Sequence, residues 1–206
     1  MSDLATKQKG FSLVELLVAI SIFTVVLTIA VSTLLVLVDA NGKAQNMQEA
    51  MTNLTFAMDS MTREIRTGSG YYCSSSAFEN EDLTTSDRQD CPVSSQGIQI
   101  SFIEAGNSLT AGGSGQGSSR ISYRFNSNDG RIYRQIGNGD FLPLTTDDLT
   151  ITDMRFIVTG TDSFNTDNDT VPPLVTIFIK GQAGDLQTID TSFQLQTTVV
   201  QRAFDI

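Results

Sequence analysis

The first feature of the sequence is a long apolar run near its N-terminus. Across residues 11–38 the only charged side chain is Glu15, and neither proline nor glycine interrupts the run. As an α-helix, the uncharged part at residues 16–38 would be roughly 34 Å long, which is enough to cross the hydrocarbon core of a bilayer. Because Lys7 and Lys9 precede the run, the positive-inside rule predicts a cytoplasmic N-terminus and an exported C-terminal part.

The hydrophobic pattern continues beyond this run with the spacing of an amphipathic helix. Apolar side chains recur every three or four positions at Met47, Met51, Leu54, Met58, Met61 and Ile65. This period predicts one buried helix face, and Gly68 is a suitable C-terminal stop. We therefore predict one helix from about Ser12 to about Thr67, which Asn41-Gly42 could bend. The buried face is expected to pack on the chain's own sheet, because it covers too few heptads to favour a self-coiling dimer seam.

The C-terminal half carries the alternating, β-branched pattern of strands. Six segments fit this pattern, at residues 98–103, 120–126, 131–136, 149–159, 174–180 and 191–201. Asp129-Gly130 predicts a hairpin turn between the second and third segments, whereas Gly68-Ser69-Gly70 is expected to open a loop. We predict one antiparallel sheet of about six strands, with one face on the helix. The helix contacts are expected at Met51, Leu54, Met58 and Met61. The expected fold class is thus α+β, a long N-terminal transmembrane and amphipathic helix packed on an antiparallel β-sheet.

Charge and composition exclude several kinds of site. The chain has 13 basic and 23 acidic side chains and a formal net charge of −10, which argues against a nucleic-acid groove. It contains no histidine, so a Ser-His-Asp triad, a Cys-His pair or a His-ligated zinc site is impossible. No pair of carboxylates has a context that suggests acid–base catalysis. The sequence therefore predicts no enzymatic activity.

Glu15 separates three interpretations of the apolar segment. A cleaved secretory signal has a shorter apolar core followed by a small-residue cleavage site, whereas Ala30-Val31-Ser32 lies inside this run. A plain single-pass anchor explains the length but leaves the carboxylate unexplained. A charge at the bilayer centre costs roughly 2.5–3.5 kcal/mol, and less near the interface. The third interpretation gives Glu15 a function.

The stretch KGFSLVE, residues 9–15, resembles the class III signal of type IV pilins and pseudopilins. That signal has a glycine before the cleavage point, a phenylalanine after it and a glutamate as the fifth mature residue, and every position matches. The resemblance implies that a prepilin peptidase cuts between Gly10 and Phe11 and N-methylates Phe11. It also implies that Glu15 pairs with the Phe11 ammonium of a neighbouring subunit in a filament, which removes most of the cost of a lone buried charge.

This resemblance implies a division of the chain and a location for each part. Residues 1–10 form the leader, residues 11–38 the transmembrane and filament-core helix, residues 39–67 its amphipathic continuation, and residues 68–206 an extracytoplasmic β-rich domain. The protein is expected in the inner membrane, with a cytoplasmic N-terminus and a periplasmic or extracellular globular domain, and later in the filament. The expected partners are the peptidase, other minor and major pilins or pseudopilins, and the inner-membrane assembly platform.

Export also bears on the two cysteines. An oxidising compartment favours a disulfide between Cys73 and Cys91, which bracket a polar insert. In the chain-entropy model, closing a loop of about 19 residues contributes about 3 kcal/mol. The spacing does not support a redox or metal-binding CxxC motif.

A looser resemblance extends over the C-terminal part. The segment ISYRFNSNDGRIYRQIGNGDFLPLTTDDLTITDMRFIV and the terminal SFQLQTTVVQR are similar to the J-type minor pseudopilin of type II secretion and to related minor type IV pilins. The resemblance implies a minor subunit that initiates or caps a filament. A type II pseudopilus would serve protein secretion, and a type IV pilus would serve adhesion, motility or DNA uptake. A membrane-tethered extracellular binding module is the alternative from another class.

One acidic loop is a weak candidate for calcium. Residues 162–169, DSFNTDND, place Asp162, Asp167 and Asp169 close together, and calcium takes six to eight oxygen ligands. The loop lacks the glycine and the distal glutamate of an EF-hand, so an ordinary solvated loop is the alternative. No other cofactor is expected.

Overall fold

The structure, a computed structural model, describes residues 10–105, 117–147, 149–162, 172–183 and 191–202. Contacts divide the chain into two compact units, Met1–Gln45 and Asn46–Ile206, and each is described here by itself. One helix, α1 (Leu13–Thr67), contributes residues to both units and is helical through Asn41 and Gly42. Its bounds confirm the predicted helix.

In the first unit, α1 is apolar on all sides. Its large apolar side chains up to Val38 are exposed. The most apolar stretch of the helix has a mean hydropathy of 2.6, and none of that stretch is buried within the protein. By length and composition it can therefore cross a membrane. Each hydroxyl within residues 16–38 donates a hydrogen bond to a helix carbonyl three or four residues earlier, so none needs water as a partner. These residues are Ser21, Thr24, Thr28, Ser32 and Thr33.

The second unit contains two antiparallel sheets. The first has five strands in the order β1-β2-β3-β4-β5, and the second has three in the order β6-β7-β8. The strands of the first sheet are β1 (Ser69–Ser74), β2 (Gln99–Ile103), β3 (Arg120–Asn126), β4 (Arg131–Ile136) and β5 (Leu142–Pro143). Those of the second are β6 (Leu149–Thr159), β7 (Leu174–Ala183) and β8 (Thr191–Val200). Two short 3₁₀ helices, Asn80–Asp82 and Val93–Ser95, lie between β1 and β2.

The six predicted strands are confirmed as β2, β3, β4, β6, β7 and β8, but the prediction of a single sheet is wrong. Cys91 pairs with Val158 of β6, and Gly97 pairs with Phe156 of β6. The segment that contains Cys91 and Gly97 therefore lies along the edge of β6. β5 is two residues long and contains Pro143, which has no N–H to donate to a further strand. The first sheet therefore ends at β5.

The prediction of a loop at residues 68–70 is also wrong, because β1 begins at Ser69. Gly70 has a φ of 59°, and the register of β1 against β2 shifts between Ser69 and Tyr72. Glycine adopts positive φ without strain, so this irregularity is a bulge inside a strand. The Gly-Ser-Gly sequence did not indicate a strand, because glycine is favoured both in bulges and in loops.

The C-terminal part of α1 packs on the sheets through the predicted face. Leu54, Met58, Met61 and Ile65 are buried in the core, and Met51 is partly buried against it. The face is completed by Ala50 and Ala57, which are also fully buried. The pattern of large apolar residues did not reveal these alanines.

A polar cluster joins the last turns of α1 to β3 and β4. Arg134 donates to both carboxylate oxygens of Glu64, with Nε–Oε2 and Nη2–Oε1 distances of 3.1 and 2.7 Å. Tyr123 donates its phenolic hydrogen to Oε2 of the same carboxylate at 2.6 Å. Burial, followed by the charge of Glu64, raises the pKa of Tyr123 above its ordinary value. The cluster thus fixes the helix to the sheet by bidentate and charge-assisted bonds.

We expect Tyr123 to keep its proton well above pH 10 while the domain is folded. The unfolded chain releases this proton near its ordinary pKa of 10. The phenol's contribution to stability is therefore complete below about pH 10 and falls as the pH rises further. Urea unfolding of the protein and of Tyr123→Phe at about pH 8 and about pH 11 tests this. The unsubstituted protein should lose more stability between the two pH values than the variant, and equal losses would contradict the assignment.

Candidate functional site

Gly10 and Phe11 precede α1 and are accessible. Neither residue is helical, and the side chain of Phe11 is 80% exposed. A Cβ added at Gly10 would meet no other atom within 4 Å. The bond between the two residues therefore lies in exposed, irregular backbone, where proteolysis concentrates.

Ser12 is the N-cap of α1. Its hydroxyl accepts a hydrogen bond from the Glu15 N–H at 3.2 Å, and its carbonyl accepts one from the Leu16 N–H at 3.2 Å. Ser12 and Glu15 thus have the S-x-x-E spacing of a capping box, and Glu15 also lies at the positive end of the helix dipole. This local role was not predicted, although the spacing is visible in the sequence. Glu15 can therefore stabilise the helix start by about 0.3–1 kcal/mol without any partner molecule.

The Glu15 carboxylate has no cation beside it within the part of the chain that the structure describes. The side chain is exposed, and no described residue forms an ion pair with it. The next charged residue along the helix is Asp39, and Lys7 and Lys9 lie outside the described residues. A neutralising charge for Glu15 in a bilayer would therefore have to come from the leader or from another molecule.

The predicted disulfide is present. Cys73 on β1 and Cys91 are joined, with their Cα atoms 5.7 Å apart, and both are buried. Gly97 lies directly against the bridge, since a Cβ there would fall 2.2 Å from the Cys73 sulfur and 2.8 Å from the Cys91 sulfur. The bridge is therefore enclosed by the fold.

Buried polar groups fasten the insert between the cysteines to the first sheet. Arg120 on β3 donates to the backbone carbonyls of Gly70, Thr84 and Asp87, and burial lowers its pKa to about 10. Asn80 donates to the carbonyls of Arg120 and Gly137. Its own amide oxygen accepts from two serine hydroxyls on β2 and β3. Sequence reasoning did not find this network, because nothing local marks which polar residues turn inward.

Removing the disulfide is expected to destabilise the second unit by about 3 kcal/mol, because the unfolded chain gains the entropy of an open loop. Cys73→Ala/Cys91→Ala should therefore unfold at a lower urea concentration. A matched control is the unsubstituted protein with and without reductant. Reductant should shift its unfolding midpoint towards that of the variant and leave the variant unchanged. Equal midpoints for the oxidised protein and the variant would contradict this prediction.

The predicted calcium loop, residues 162–169, lies outside the described residues except for Asp162. Asp162 is exposed in the bend after β6, whereas Asp167 and Asp169 lie outside the described residues. Among the residues that the structure describes, no group of three or more His, Cys, Asp or Glu side chains could hold a metal ion. The loop stays a weak prediction.

Comparisons with known proteins bear on the N-terminal site. Residues 5–31 match the family model described as the prokaryotic N-terminal methylation motif. Neither a search of curated proteins nor a search of solved structures returned a match to this chain. The motif implies processing by a prepilin peptidase and assembly with other pilins, and it suggests a structural subunit and not an enzyme. With the apolar helix it fits a membrane-anchored pilin. The chain therefore carries the N-terminal signal of a type IV pilin-like or pseudopilin-like protein on an α+β, pilin-like fold.

Proposed function

We propose that this chain is a minor pseudopilin that assembles into, or caps, the pseudopilus of a type II secretion system. A prepilin peptidase cuts between Gly10 and Phe11 and methylates the new amino terminus. The apolar helix then leaves the bilayer and enters the filament. The observation that carries the proposal is Glu15 at the start of a helix that is apolar on all sides, inside the matched methylation motif.

Assembly is driven by the apolar helix and ordered by one charge pair. In the membrane, the exposed side chains of α1 contact lipid, and in a filament they contact the same surface of neighbouring subunits. Apolar contacts tolerate axial sliding, because they are non-directional. The Glu15 carboxylate and the Phe11 ammonium of a neighbour form a pair only at one axial offset. Since either charge alone is costly in apolar surroundings, the pair selects that offset.

Orientation follows from the leader and the disulfide. Lys7 and Lys9 favour a cytoplasmic N-terminus by the positive-inside rule. The Cys73–Cys91 bridge suits an oxidising compartment on the other side of the membrane. Both features favour a periplasmic or extracellular second unit. Force for filament movement comes from a cytoplasmic ATPase acting through the inner-membrane platform, and this chain contributes contacts.

The assignment to secretion rests on the C-terminal resemblance. The β3–β4 hairpin, with Tyr133 and Arg134 on its second strand, and the Leu-Pro-Leu segment that contains β5 are similar to J-type minor pseudopilins. A minor type IV pilin has comparable features and is the nearest alternative. The two functions differ in what the filament does for the cell.

Deleting this chain from its host tests the proposed function. We expect folded exoproteins to accumulate in the periplasm and to disappear from the medium, with recovery when the unsubstituted chain is restored. Surface pili and motility should be unaffected. Normal secretion with loss of pili, motility or DNA uptake would assign the chain to a type IV pilus. Normal behaviour in all these assays would favour a tethered binding module.

A further inference from the structure

The second unit has a groove beside the edge of β8 that no described strand covers. β8 is the last strand of its sheet, so β7 pairs with only one of its edges. A cavity of about 840 Å³ lies between the C-terminal end of β8 and α1. It is lined from α1 by Asp59, Arg63 and Arg66 and from β8 and the residues after it by Thr198, Val200 and Arg202.

Backbone hydrogen bonds at the end of β8 show which groups face this groove. The Gln201 N–H donates to the Pro173 carbonyl on the β7 side at 3.0 Å. The next N–H, that of Arg202, donates at 2.9 Å to the Arg66 carbonyl on α1. Because backbone groups alternate along an antiparallel strand, the N–H and C=O groups of Val200, Thr198 and Gln196 also point away from β7. No described residue forms a backbone hydrogen bond with them there.

The other sheet edges are short or covered. β5 has two residues and contains Pro143, residues Cys91 and Gly97 bridge to β6, and Gln89 bridges to β1. By contrast β8, at Thr191–Val200, has ten residues, no proline and no charged side chain. Natural proteins protect long sheet edges with proline, with charged side chains or with a covering segment. Because β8 contains neither proline nor a charged side chain, we expect a partner to cover its edge.

The groove also concentrates positive charge. Arg63, Arg66 and Arg202 are exposed, and none forms an ion pair with a residue that the structure describes. Elsewhere in the unit, arginines form ion pairs with carboxylates, at Arg124, Arg131, Arg134 and Arg155. Among the described lining residues only Asp59 is acidic, although the whole chain has a net charge of −10. The local charge therefore favours a partner that carries carboxylates.

We propose that this groove binds an extended, acidic segment of another protein, which adds to β8 as a fourth strand. Main-chain hydrogen bonds to Val200, Thr198 and Gln196 supply the pairing, and carboxylates on the incoming strand contact the three arginines. A second copy of β8 is a poor occupant, because Thr191–Val200 contains no acidic residue to meet those arginines. The surface lies wholly in the second unit and does not depend on the proposed filament assembly.

Hydrogen exchange on the full chain in detergent micelles tests this binding. The probe is a synthetic peptide of alternating valine and glutamate, and its matched control has lysine at every glutamate position. The acidic peptide should slow amide exchange at Gln196, Thr198 and Val200, and the lysine peptide should not. The double variant Arg63→Glu/Arg66→Glu should reverse this preference, because the charge lining the groove then changes sign.

A second pair of variants separates strand pairing from charge. Thr198→Pro removes one N–H that faces the groove, at an edge position where proline is tolerated. It should weaken binding of the acidic peptide about tenfold, whereas Thr198→Val, which keeps the N–H, should bind like the unsubstituted chain. Equal weakening by the two variants would contradict strand addition.

Four other results would overturn the proposal. The first is no slowing of exchange with the acidic peptide, and the second is equal binding of the two peptides. The third is protection of β8 that appears without peptide and rises with protein concentration. The fourth is protection of β8 that is already complete without peptide at high dilution. The third result would identify a second copy as the occupant. The fourth would identify a segment of the same chain.

Discussion

Replacing Glu15 with valine is expected to exclude this chain from filaments while its leader is still removed. In the proposed filament the Phe11 ammonium of a neighbouring subunit lies in apolar surroundings and needs the Glu15 carboxylate. Removing one partner of a buried pair costs about 3–5 kcal/mol, which corresponds to a loss of about a hundredfold or more in incorporation. The measurement is the ratio of the chain in sheared filaments to the chain in membranes, by immunoblot.

Two control variants separate charge pairing from helix capping. Ser12→Ala removes the hydroxyl that accepts the Glu15 N–H and should cost about 1 kcal/mol of helix stability, with assembly largely kept. Glu15→Gln keeps the S-x-x-E/Q capping spacing and loses only the charge, so it should fail like Glu15→Val. If Glu15→Gln assembles normally, Glu15 acts as a capping residue and the pairing hypothesis is wrong.

Replacing Gly10 with valine is expected to stop removal of the leader. The fold does not resist the change, since a Cβ at Gly10 meets nothing within 4 Å. Any loss of cleavage must then arise in the peptidase, whose motif has glycine at this position. The uncut chain keeps its leader, so Phe11 has no free amine for a neighbour's Glu15. The precursor should accumulate in membranes as a longer species on gels, and incorporation into filaments should be abolished.

Gly42→Val is the matched control for this experiment. Gly42 also has open space around its Cβ position, but it lies within α1 and far from the cleavage point in sequence. This variant should be processed normally. Cleavage of Gly10→Val at the normal rate would show that the junction is elsewhere. An uncut Gly10→Val chain found in filaments would show that assembly needs no free Phe11 amine.

The elements that sequence reasoning found are those with a local signal. The helix has a sustained three- to four-residue period, and β6, β7 and β8 are long runs of alternating or β-branched residues. The β3–β4 turn was marked by Asp129-Gly130, and Gly130 has the positive φ that such a turn requires. In each case a few neighbouring residues determine the conformation.

The features that sequence reasoning missed depend on distant contacts. Two sheets form because the segment around Cys91 lies along β6, a pairing between residues far apart in the chain. Arg120 is buried because backbone carbonyls of the insert surround its guanidinium. The groove beside β8 combines helix residues with the end of the last strand. None of these arrangements leaves a pattern within a short window.

The N-terminal site was predictable for the opposite reason, since a short motif carries it. Gly10, Phe11 and Glu15 lie within residues 5–31, which match the methylation motif. The structure added what the motif does not contain, namely the Ser12 cap and its bond to the Glu15 N–H. That bond is donated by the backbone of Glu15, and the S-x-x-E spacing gives the side chain a separate capping role, which Glu15→Gln keeps.

The most direct test of the account is the mass of the mature N-terminal peptide, measured on protein purified from its host. The account predicts a peptide that begins at Phe11 and carries one methyl group on its α-amine. Such a terminus would supply the cation that Glu15 requires in apolar surroundings. A peptide that begins at Met1, or one produced by a cut beyond the apolar helix, would contradict the account.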